Sequence, residues 1–291
     1  MSTDSSTGLA IGARHPRLER ILFLYAPLAF ALLFLVGPFY WMLITALKPD
    51  AELYDGSKSP LYVAAPTLEH FRHLFERTDF LLWLKNTMMV ATLSTTIALV
   101  MGVPAGYALA RFRFRFSELI GTSIFVTYLV PTTLLFIPMI HVVVSLGLDD
   151  SIWALVVVYP TFLVPFVTWL MSGYFRTIPT ELEDCARVDG MTRIGAMLRI
   201  AIPLARPGIL SAAIFSFTLS WNEFIYALTL VTASSERTIP VGVLVQLTRA
   251  DFYFWGPLMA GALLGSIPVA IVYSFFVDQY ASGLTAGAVK G

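Results

Sequence analysis

Residues Ile178 to Gly208 read IPTELEDCARVDGMTRIGAMLRIAIPLARPG, a charged stretch that lies between two long apolar runs. Thr180 and Glu183 have the spacing of a capping box, which predicts that a helix starts here. Glycine accepts the left-handed conformation of a helix C-terminus at little cost, so Gly190 predicts where this helix ends. A short polar helix is therefore expected in the first half of the stretch.

A second helix is predicted in the other half, from about Thr192 to the residue before Pro203. Its apolar side chains recur at helical spacing and are expected on one face: Met191, Ile194, Leu198 and Ala201. The pattern predicts a helix-turn-helix outside the membrane hydrocarbon. This unit either meets another protein or is a solvated loop that only joins two membrane spans, and the pattern alone favours neither.

The composition is that of a membrane protein. Apolar residues make up 57% of the 291 residues, charged residues make up 13%, and the mean hydropathy is +0.75. A soluble domain has about twice this charged fraction. The net charge is zero, which gives no indication of a nucleic-acid partner, and the single cysteine, Cys185, cannot form an internal disulfide. We therefore expect a chain embedded in lipid.

Six apolar runs are long enough to cross a bilayer, at roughly 20 residues each. They are Ile21–Leu47, Leu82–Ala110, Leu119–Val144, Ile152–Tyr174, Ile209–Thr232 and Phe254–Phe276. The sequence thus predicts an all-α membrane protein with six transmembrane helices over residues 21–277. A tail of residues 1–20 precedes this domain and a tail of residues 278–291 follows it.

The distribution of Lys and Arg predicts the orientation, because positive residues are commoner in cytoplasmic segments. With the N-terminus inside, twelve of the nineteen lie on the inner side: Arg14, Arg17, Arg20, Arg111, Arg113, Arg115, Arg176, Arg187, Arg193, Arg199, Arg206 and Lys290. Both termini and the stretch of residues 178–208 are therefore predicted to face the cytoplasm.

This stretch resembles the EAA loop of bacterial ABC-importer permeases. In that loop a Glu-Ala-Ala triplet is followed by a glycine and, further on, by a hydrophobic residue and a proline. The matching residues are Asp184-Cys185-Ala186, Asp189-Gly190 and Ile202-Pro203. Asp184 keeps the charge of the usual glutamate, and Cys185 keeps the small size of the usual alanine.

Three further runs extend the resemblance over most of the chain. Gly106–Phe112 resembles the AYALARF run of sugar permeases, Ser220–Phe224 resembles the WNEF motif of their fifth span, and Gly283–Gly291 resembles their C-terminus. Four matches in the right order form a specific signal. The chain is identified as a member of the permease subunits of carbohydrate ABC importers of the maltose type, which implies the type I permease fold with a cytoplasmic helix-turn-helix coupling loop.

The resemblance also implies a multi-pass protein of the bacterial cytoplasmic membrane that works in a complex. Its partners would be a second homologous permease, two copies of an ABC ATPase inside, a sugar-binding protein outside, and membrane lipid. ATP and Mg²⁺ would be bound by the ATPase, so this chain would hold no cofactor. The residues that the resemblance assigns to ATPase coupling are Glu181, Glu183, Asp184, Cys185, Ala186, Asp189, Gly190 and Pro203. Maltose, trehalose, another oligosaccharide, a polyol and glycerol phosphate are all served by permeases that this chain resembles.

One ionisable side chain, that of Glu223, lies well inside a predicted span. A charged carboxylate at the centre of the hydrocarbon costs about 2.5–3.5 kcal/mol on insertion scales, so it is expected to face a water-filled path or a neighbouring subunit. Hydrogen-bonding groups and flat aromatic faces both suit a sugar. The predicted substrate path comprises Trp221, Asn222, Glu223 and Tyr226. The alternative for Glu223 is an interhelical hydrogen bond that holds the fifth span in place.

The sequence does not predict an enzyme. A phosphate-binding loop needs G-x-x-x-x-G-K-[ST]. In the nearest run, Gly56 to Ser59, an extra residue precedes the lysine, and Ala51 stands where the first glycine should be. The four histidines do not combine with Cys185 into a metal-binding set.

Two functions other than an ATP-driven importer stay open on the sequence. An ion-coupled secondary transporter acting alone would use Glu223 as its proton or sodium site, although no matched pair of interrupted spans marks an inverted repeat. A membrane scaffold without transport would give Glu223 no purpose. The favoured prediction is a permease subunit that forms half of a sugar translocation path and couples to an ATPase through residues 181–190.

Overall fold

A computed structural model describes the backbone of residues 20–112, 115–249 and 252–288, and the side chains of the same ranges except 249 and 276–288. Within these described ranges, four helices are long and apolar enough to cross a membrane: Ile21–Leu47, Phe80–Arg111, Ile152–Thr177 and Trp255–Phe275. Two bent helix pairs raise the number of spans to as many as six. The predicted all-α membrane architecture is confirmed.

Shorter elements lie between these spans. They are the helices Asp50–Leu53, Glu69–Arg77, Glu181–Val188, Arg193–Leu204, Ile225–Leu230 and Ile239–Gln246, the 3₁₀ turn Ser234–Glu236, and the antiparallel strands Thr248–Arg249 and Phe252–Tyr253. In the strand pair, Thr248 lies opposite Tyr253 and Arg249 lies opposite Phe252.

The third span is bent where the sequence predicts one continuous helix. Its halves, Ser117–Leu129 and Thr132–Ser145, meet at an angle of 96°. Pro131 explains the break, because a proline ring disfavours the helical conformation of the residue before it. Val130 accordingly has an extended ψ of 125°.

The fifth span is also interrupted. One helix, Arg206–Trp221, ends in the middle of the predicted run 209–232, and a second helix, Ile225–Leu230, starts after a gap of three residues. The N–H groups at the start of the second helix bind the side chain of Glu223 in place of carbonyls of the first helix. Such side-chain bonds let the backbone leave one helix and start another.

The second span, Phe80–Arg111, and the fourth span, Ile152–Thr177, form the centre of the fold. A Cβ atom on Gly102 would lie 2.6 Å from Cγ1 of Val167, and one on Gly106 would lie 2.8 Å from Cβ of Met171. The two backbones approach this closely because neither glycine has a side chain. These two spans therefore behave as one packed unit.

The first span lies outside this centre. Ile21–Leu47 opens with a π-helical turn over Ile21–Tyr25, and its most apolar part is unburied within the chain. A large apolar surface of this kind is stable when lipid or another protein covers it. The predicted N-terminal tail lies outside the described residues except for residue 20, and so do Arg113 and Lys290. The last helix continues to Ala288, so the predicted C-terminal tail is helical over residues 278–288.

Candidate functional site

The first helix of the charged stretch, Glu181–Val188, is called the loop helix below. It ends at Gly190, as predicted, because Gly190 has a φ of +92°. The N–H of Gly190 donates to the carbonyl of Arg187 at 3.1 Å, and the N–H of Met191 donates to that of Ala186 at 3.0 Å. These two bonds make a Schellman motif, which satisfies carbonyls at the end of the helix. The turn is therefore well defined.

The predicted capping box at the start of the loop helix is wrong. Thr180 has a helical conformation, with φ −70° and ψ −25°, and its side chain makes no capping bond. The Glu183 carboxylate points away from the helix start and accepts hydrogen bonds from the Tyr107 hydroxyl at 2.6 Å and from Nε of Arg111 at 2.7 Å. Glu183 thus pairs with two strong donors of the second span and makes no capping bond at the start of its own helix.

The second loop helix, Arg193–Leu204, starts as expected at Thr192, whose hydroxyl accepts from the N–H of Gly195 at 3.1 Å. Its predicted end before Pro203 is wrong. A π-helical turn over Met197–Ala201 precedes the proline, which lies in the first turn of the next segment, where its missing N–H is tolerated. The helix then bends by 74° into Arg206–Trp221.

The predicted apolar face of this second helix is divided. Ala201 is buried, whereas Ile194 and Leu198 are exposed. On the loop helix Leu182 is also exposed, and Val188 is 86% exposed. The two helices together therefore present apolar side chains outward, which is typical of a surface that another protein covers.

The predicted coupling residues separate into an outer and an inner group. The exposed residues are Glu181, Asp184, Cys185, Asp189 and Gly190; the buried residues are Glu183 and Ala186; and Pro203 is half-buried. Asp184 pairs with Arg187 at 3.1 Å on the surface of the loop helix. The outer group adds negative charge to the exposed apolar surface, while Glu183 faces the protein interior.

The second candidate site surrounds Glu223. Its carboxylate is half-buried and accepts three hydrogen bonds, from the Tyr159 hydroxyl at 2.9 Å, the N–H of Tyr226 at 3.0 Å and the N–H of Ala227 at 3.1 Å. Glu223 therefore caps the helix Ile225–Leu230 and joins it to the fourth span. The geometry favours the interhelical interpretation of this residue.

Tyr226 extends this network to the third span. Its ring is buried, and its hydroxyl donates to the carbonyl of Thr132 at 2.8 Å. Thr132 is the first residue after the bend of the third span, and Tyr159 lies between the helical segments Ile152–Val158 and Pro160–Thr177. The four residues Thr132, Tyr159, Glu223 and Tyr226, called the break node below, thus connect interruptions in three neighbouring spans.

Trp221 and Asn222 lie on the other side of this break. Trp221 is buried, stacks on Phe217 at 5.4 Å and donates to the carbonyl of Gly265 at 3.2 Å. Asn222 is exposed and lines a cleft of about 450 Å³ that also touches Trp221. Among the four predicted path residues, Asn222 and Glu223 are accessible, whereas the two aromatic side chains are buried and already hydrogen-bonded within the chain. Contact with a sugar stays a prediction.

Sequence reasoning did not identify three functional candidates, which are Tyr107, Arg111 and Tyr159. Tyr107 and Arg111 belong to the Gly106–Phe112 run, which gives a family signal but not their contact with Glu183. Tyr159 precedes Pro160, and this proline indicates a possible break in the helix. It does not indicate the hydrogen bond between Tyr159 and Glu223. Their partners lie 76, 72 and 64 residues away, so only the tertiary structure reveals them.

The loops opposite the charged stretch are held by Asp150. Its carboxylate accepts from the N–H of Thr232 at 2.6 Å, the hydroxyl of Thr232 at 2.9 Å and the N–H of Ala233 at 2.9 Å. The bond from Ala233, followed by those from Thr232, lowers the pKa of the Asp150 carboxyl below its ordinary value. Within the described residues no three His, Cys, Asp or Glu side chains converge as metal ligands would.

Comparison with known proteins gives consistent matches over both candidate sites. The family model described as "Binding-protein-dependent transport system inner membrane component" matches residues 102–285. The sulfoquinovosyl glycerol transport system permease protein SmoH of Agrobacterium fabrum is 37% identical over 257 residues, which are 87% of this chain and 88% of the relative. The trehalose transport system permease protein SugB of Mycobacterium tuberculosis is 34% identical over 256 residues, 87% of this chain and 92% of the relative.

A solved structure supports the fold. A chain of a bacterial ABC transporter involved in the import of the acidic polysaccharide alginate superposes with a TM-score of 0.74 at 22% identity, over 91% of this chain and 98% of that chain. At this identity the likeness concerns the arrangement of helices alone.

Proposed function

The chain belongs to the family of binding-protein-dependent inner-membrane transport components, the permeases of ABC importers, and from this we propose that it carries a carbohydrate or a carbohydrate conjugate across the cytoplasmic membrane. As a transport subunit it does not hydrolyse ATP, which is the task of a separate ATPase of the importer. Family membership decides against the alternative of an ion-coupled transporter acting alone.

The proposed substrate class follows from the relatives. SmoH is named for sulfoquinovosyl glycerol and SugB for trehalose, both of which are glycosides. Both relatives match most of this chain. The shared chemistry is a polyhydroxylated solute, which a path with hydrogen-bonding side chains such as Asn222 would suit.

The observation that carries the proposed mechanism is the exposed surface of the two loop helices. Leu182, Val188 and Ile194 are exposed apolar side chains, and the exposed ion pair of Asp184 and Arg187 lies beside them. We infer that this surface docks in a groove of the ATPase. Closure of the ATPase dimer on ATP would then move the loop helix as a lever and switch the path between its inward-facing and outward-facing states.

The break node suggests where that switch acts. Helices that are interrupted at the same depth bend there at little cost, and their freed backbone groups are tolerated where they are buried or line a water-filled cavity. Glu223 would hold the short helix Ile225–Leu230 to the fourth span while Asn222 faces the path. In this scheme Glu223 positions the helices and is not the main sugar ligand.

The complete importer would contain four kinds of subunit. We propose this chain, a second homologous permease, two copies of an ATPase that bind ATP and Mg²⁺, and a binding protein that delivers the solute. The proposed orientation places both termini and the loop helices in the cytoplasm of a bacterium, because the short inner segments contain most of the arginines.

Purification of the tagged chain in mild detergent, followed by identification of the subunits that accompany it, tests this proposal. We expect an ABC ATPase and a second permease. A matched pair of variants tests the docking surface: Val188→Lys is expected to reduce recovery of the ATPase. Leu61→Lys, at a 61% exposed apolar residue outside the loop helices, is expected to leave it unchanged. A chain that purifies alone and transports solute on an ion gradient would overturn the proposal.

A further inference from the structure

The loop helix is attached to the membrane domain mainly by a charged side chain. Of its eight residues, only Glu183 and Ala186 are buried. An ordinary surface helix packs through a broad apolar stripe, whereas here the exposed Leu182 and Val188 point away from the chain. Apart from its packing on the second loop helix, the loop helix therefore passes force to the membrane domain largely through the contacts of Glu183.

These contacts form a closed cluster, which we call the latch: Tyr107, Arg111, Ile178 and Glu183. The side chains of Arg111 and Glu183 are each 8% exposed, and Nε of Arg111 lies 2.7 Å from Oε1 of Glu183. The Tyr107 hydroxyl donates to Oε2 at 2.6 Å, so both carboxylate oxygens are occupied. Nη2 of Arg111 donates to the carbonyl of Ile178 at 2.9 Å, which fixes the start of the loop to the same guanidinium.

The other end of the latch is rigid. Tyr107 packs edge-on against Phe175 of the fourth span, with ring centroids 5.4 Å apart. The preceding residue, Gly106, lies against the fourth-span backbone, where an added Cβ would be 2.9 Å from the nitrogen of Ser172. Since the second and fourth spans are packed backbone to backbone, a displacement of Arg111 displaces both.

We propose that Tyr107 and Arg111 are positioning residues for energy coupling. Through Glu183 they join the loop helix to the second and fourth spans, so that these elements move as one body when the ATPase closes. The inference rests on the proposed function, because it needs an ATPase that moves the loop helix. A planar guanidinium suits this role, since its forked donors bind two acceptors in a fixed geometry.

The test measures a distance within the complete importer. Thr180, beside the loop helix, and Leu81, at the far end of the second span, are each replaced by a ketone-bearing unnatural amino acid that carries the spin label, so that Cys185, one of the predicted coupling residues, stays unchanged. The purified complex is measured in nanodiscs without nucleotide and with a non-hydrolysable ATP analogue. We expect a narrow distance distribution with the same mean in both states. A wild-type chain that purifies without an ATPase would overturn the proposed function, and this inference with it.

Variants of the latch distinguish coupling from folding. Glu183→Gln is expected to keep the ATPase bound but to broaden the distribution and to shift its mean when the nucleotide analogue is added. Tyr107→Phe keeps the ring contact with Phe175 and is expected to broaden the distance distribution less. It is the substitute test variant if Glu183→Gln does not accumulate. Glu76→Gln, at an exposed carboxylate 4.0 Å from Arg72, is the matched control and should behave as wild type.

A purely structural role for the latch would lower the amount of protein without changing the distances in the complexes that assemble. Narrow, unshifted distributions in ATPase-bound Glu183→Gln or Tyr107→Phe complexes would therefore overturn the latch while leaving the proposed function intact.

Discussion

Replacement of Gly190 by valine is the sharpest perturbation that the structure offers. Gly190 has a φ of +92°, and no atom beyond Gly190 and its two chain neighbours lies within 4 Å of the position that a Cβ would occupy. The added Cβ therefore meets no other part of the protein, and the cost lies in the local backbone conformation. A left-handed conformation costs a non-glycine residue about 1–3 kcal/mol, and a β-branched residue is among the least suited to it.

This strain is expected to act on the turn and not on the fold. The loop helix is anchored by Glu183 and Ala186 only, so its last turn can unwind without exposing the core. A cost of about 1–3 kcal/mol corresponds to roughly a 5–150-fold loss of the native turn. We expect transport to fall by a factor in this range, while the thermal midpoint of the purified protein stays near that of wild type.

Uptake into proteoliposomes that contain the complete importer measures the effect, with trehalose, maltose and sulfoquinovosyl glycerol as labelled solutes. Gly190→Asn is the control at the same position, because asparagine enters the left-handed region more readily than other non-glycine residues. It should retain most of the uptake. If Gly190→Val and Gly190→Asn both transport as well as wild type, the turn has no part in coupling.

Three further changes probe the rest of the chain. Gly106→Val should destabilise the protein by about 1–3 kcal/mol through overpacking, because the new Cβ would meet the backbone of the fourth span; thermal unfolding in detergent measures this. Asp150→Asn should lower the thermal midpoint at neutral pH. Because the folded-state pKa of Asp150 is depressed, the difference from wild type should vanish as the pH falls through that pKa. Glu223→Ala should cost about 0.5–2 kcal/mol as a lost helix cap, and Glu223→Gln less.

Each of these three predictions has an outcome that would contradict it. Gly37→Val introduces the same side chain where nothing lies within 4 Å, so an equal destabilisation would show that Gly106 is not special. A difference between Asp150→Asn and wild type that persists in acid would exclude the carboxylate as its cause. For Glu223, a change in the apparent KM for a solute with unaltered stability would favour direct sugar contact over helix capping.

Local patterns in the sequence predict local features well. Six apolar runs indicate the spans, and Gly190 indicates the end of the loop helix, because hydrocarbon thickness and the left-handed turn each act on a few adjacent residues. The predicted helix start at about Thr192 is also correct, and the structure shows the local reason: the hydroxyl of Thr192 caps the helix by accepting from the N–H of Gly195, three residues later.

Features that depend on distant partners escape this reasoning. Thr180 and Glu183 have the spacing of a capping box, but Glu183 is bound by Tyr107 and Arg111, which lie more than seventy residues earlier. The interruption after Trp221 is hidden in an apolar run, because the acceptor that allows it is the side chain of Glu223 within that run. Spacing identifies which bonds are possible, and tertiary structure decides among them.

The bend of the third span has a consequence for the life of the chain in the cell. Its halves have 13 and 14 residues, and at 1.5 Å per residue each crosses only about two-thirds of a hydrocarbon core of about 30 Å. The bend at Val130 and Pro131 therefore interrupts the predicted span, at a place where Val130 is half-buried and Pro131 is exposed. The N–H of Val130 donates to the carbonyl of Thr127 at 3.3 Å, and the carbonyl of Pro131 accepts from the N–H of Leu134 at 2.9 Å. Lipid cannot replace such bonds where they are lost. The proposed second permease would cover this bend, so membrane proteases are expected to remove copies of this chain that are made in excess over it.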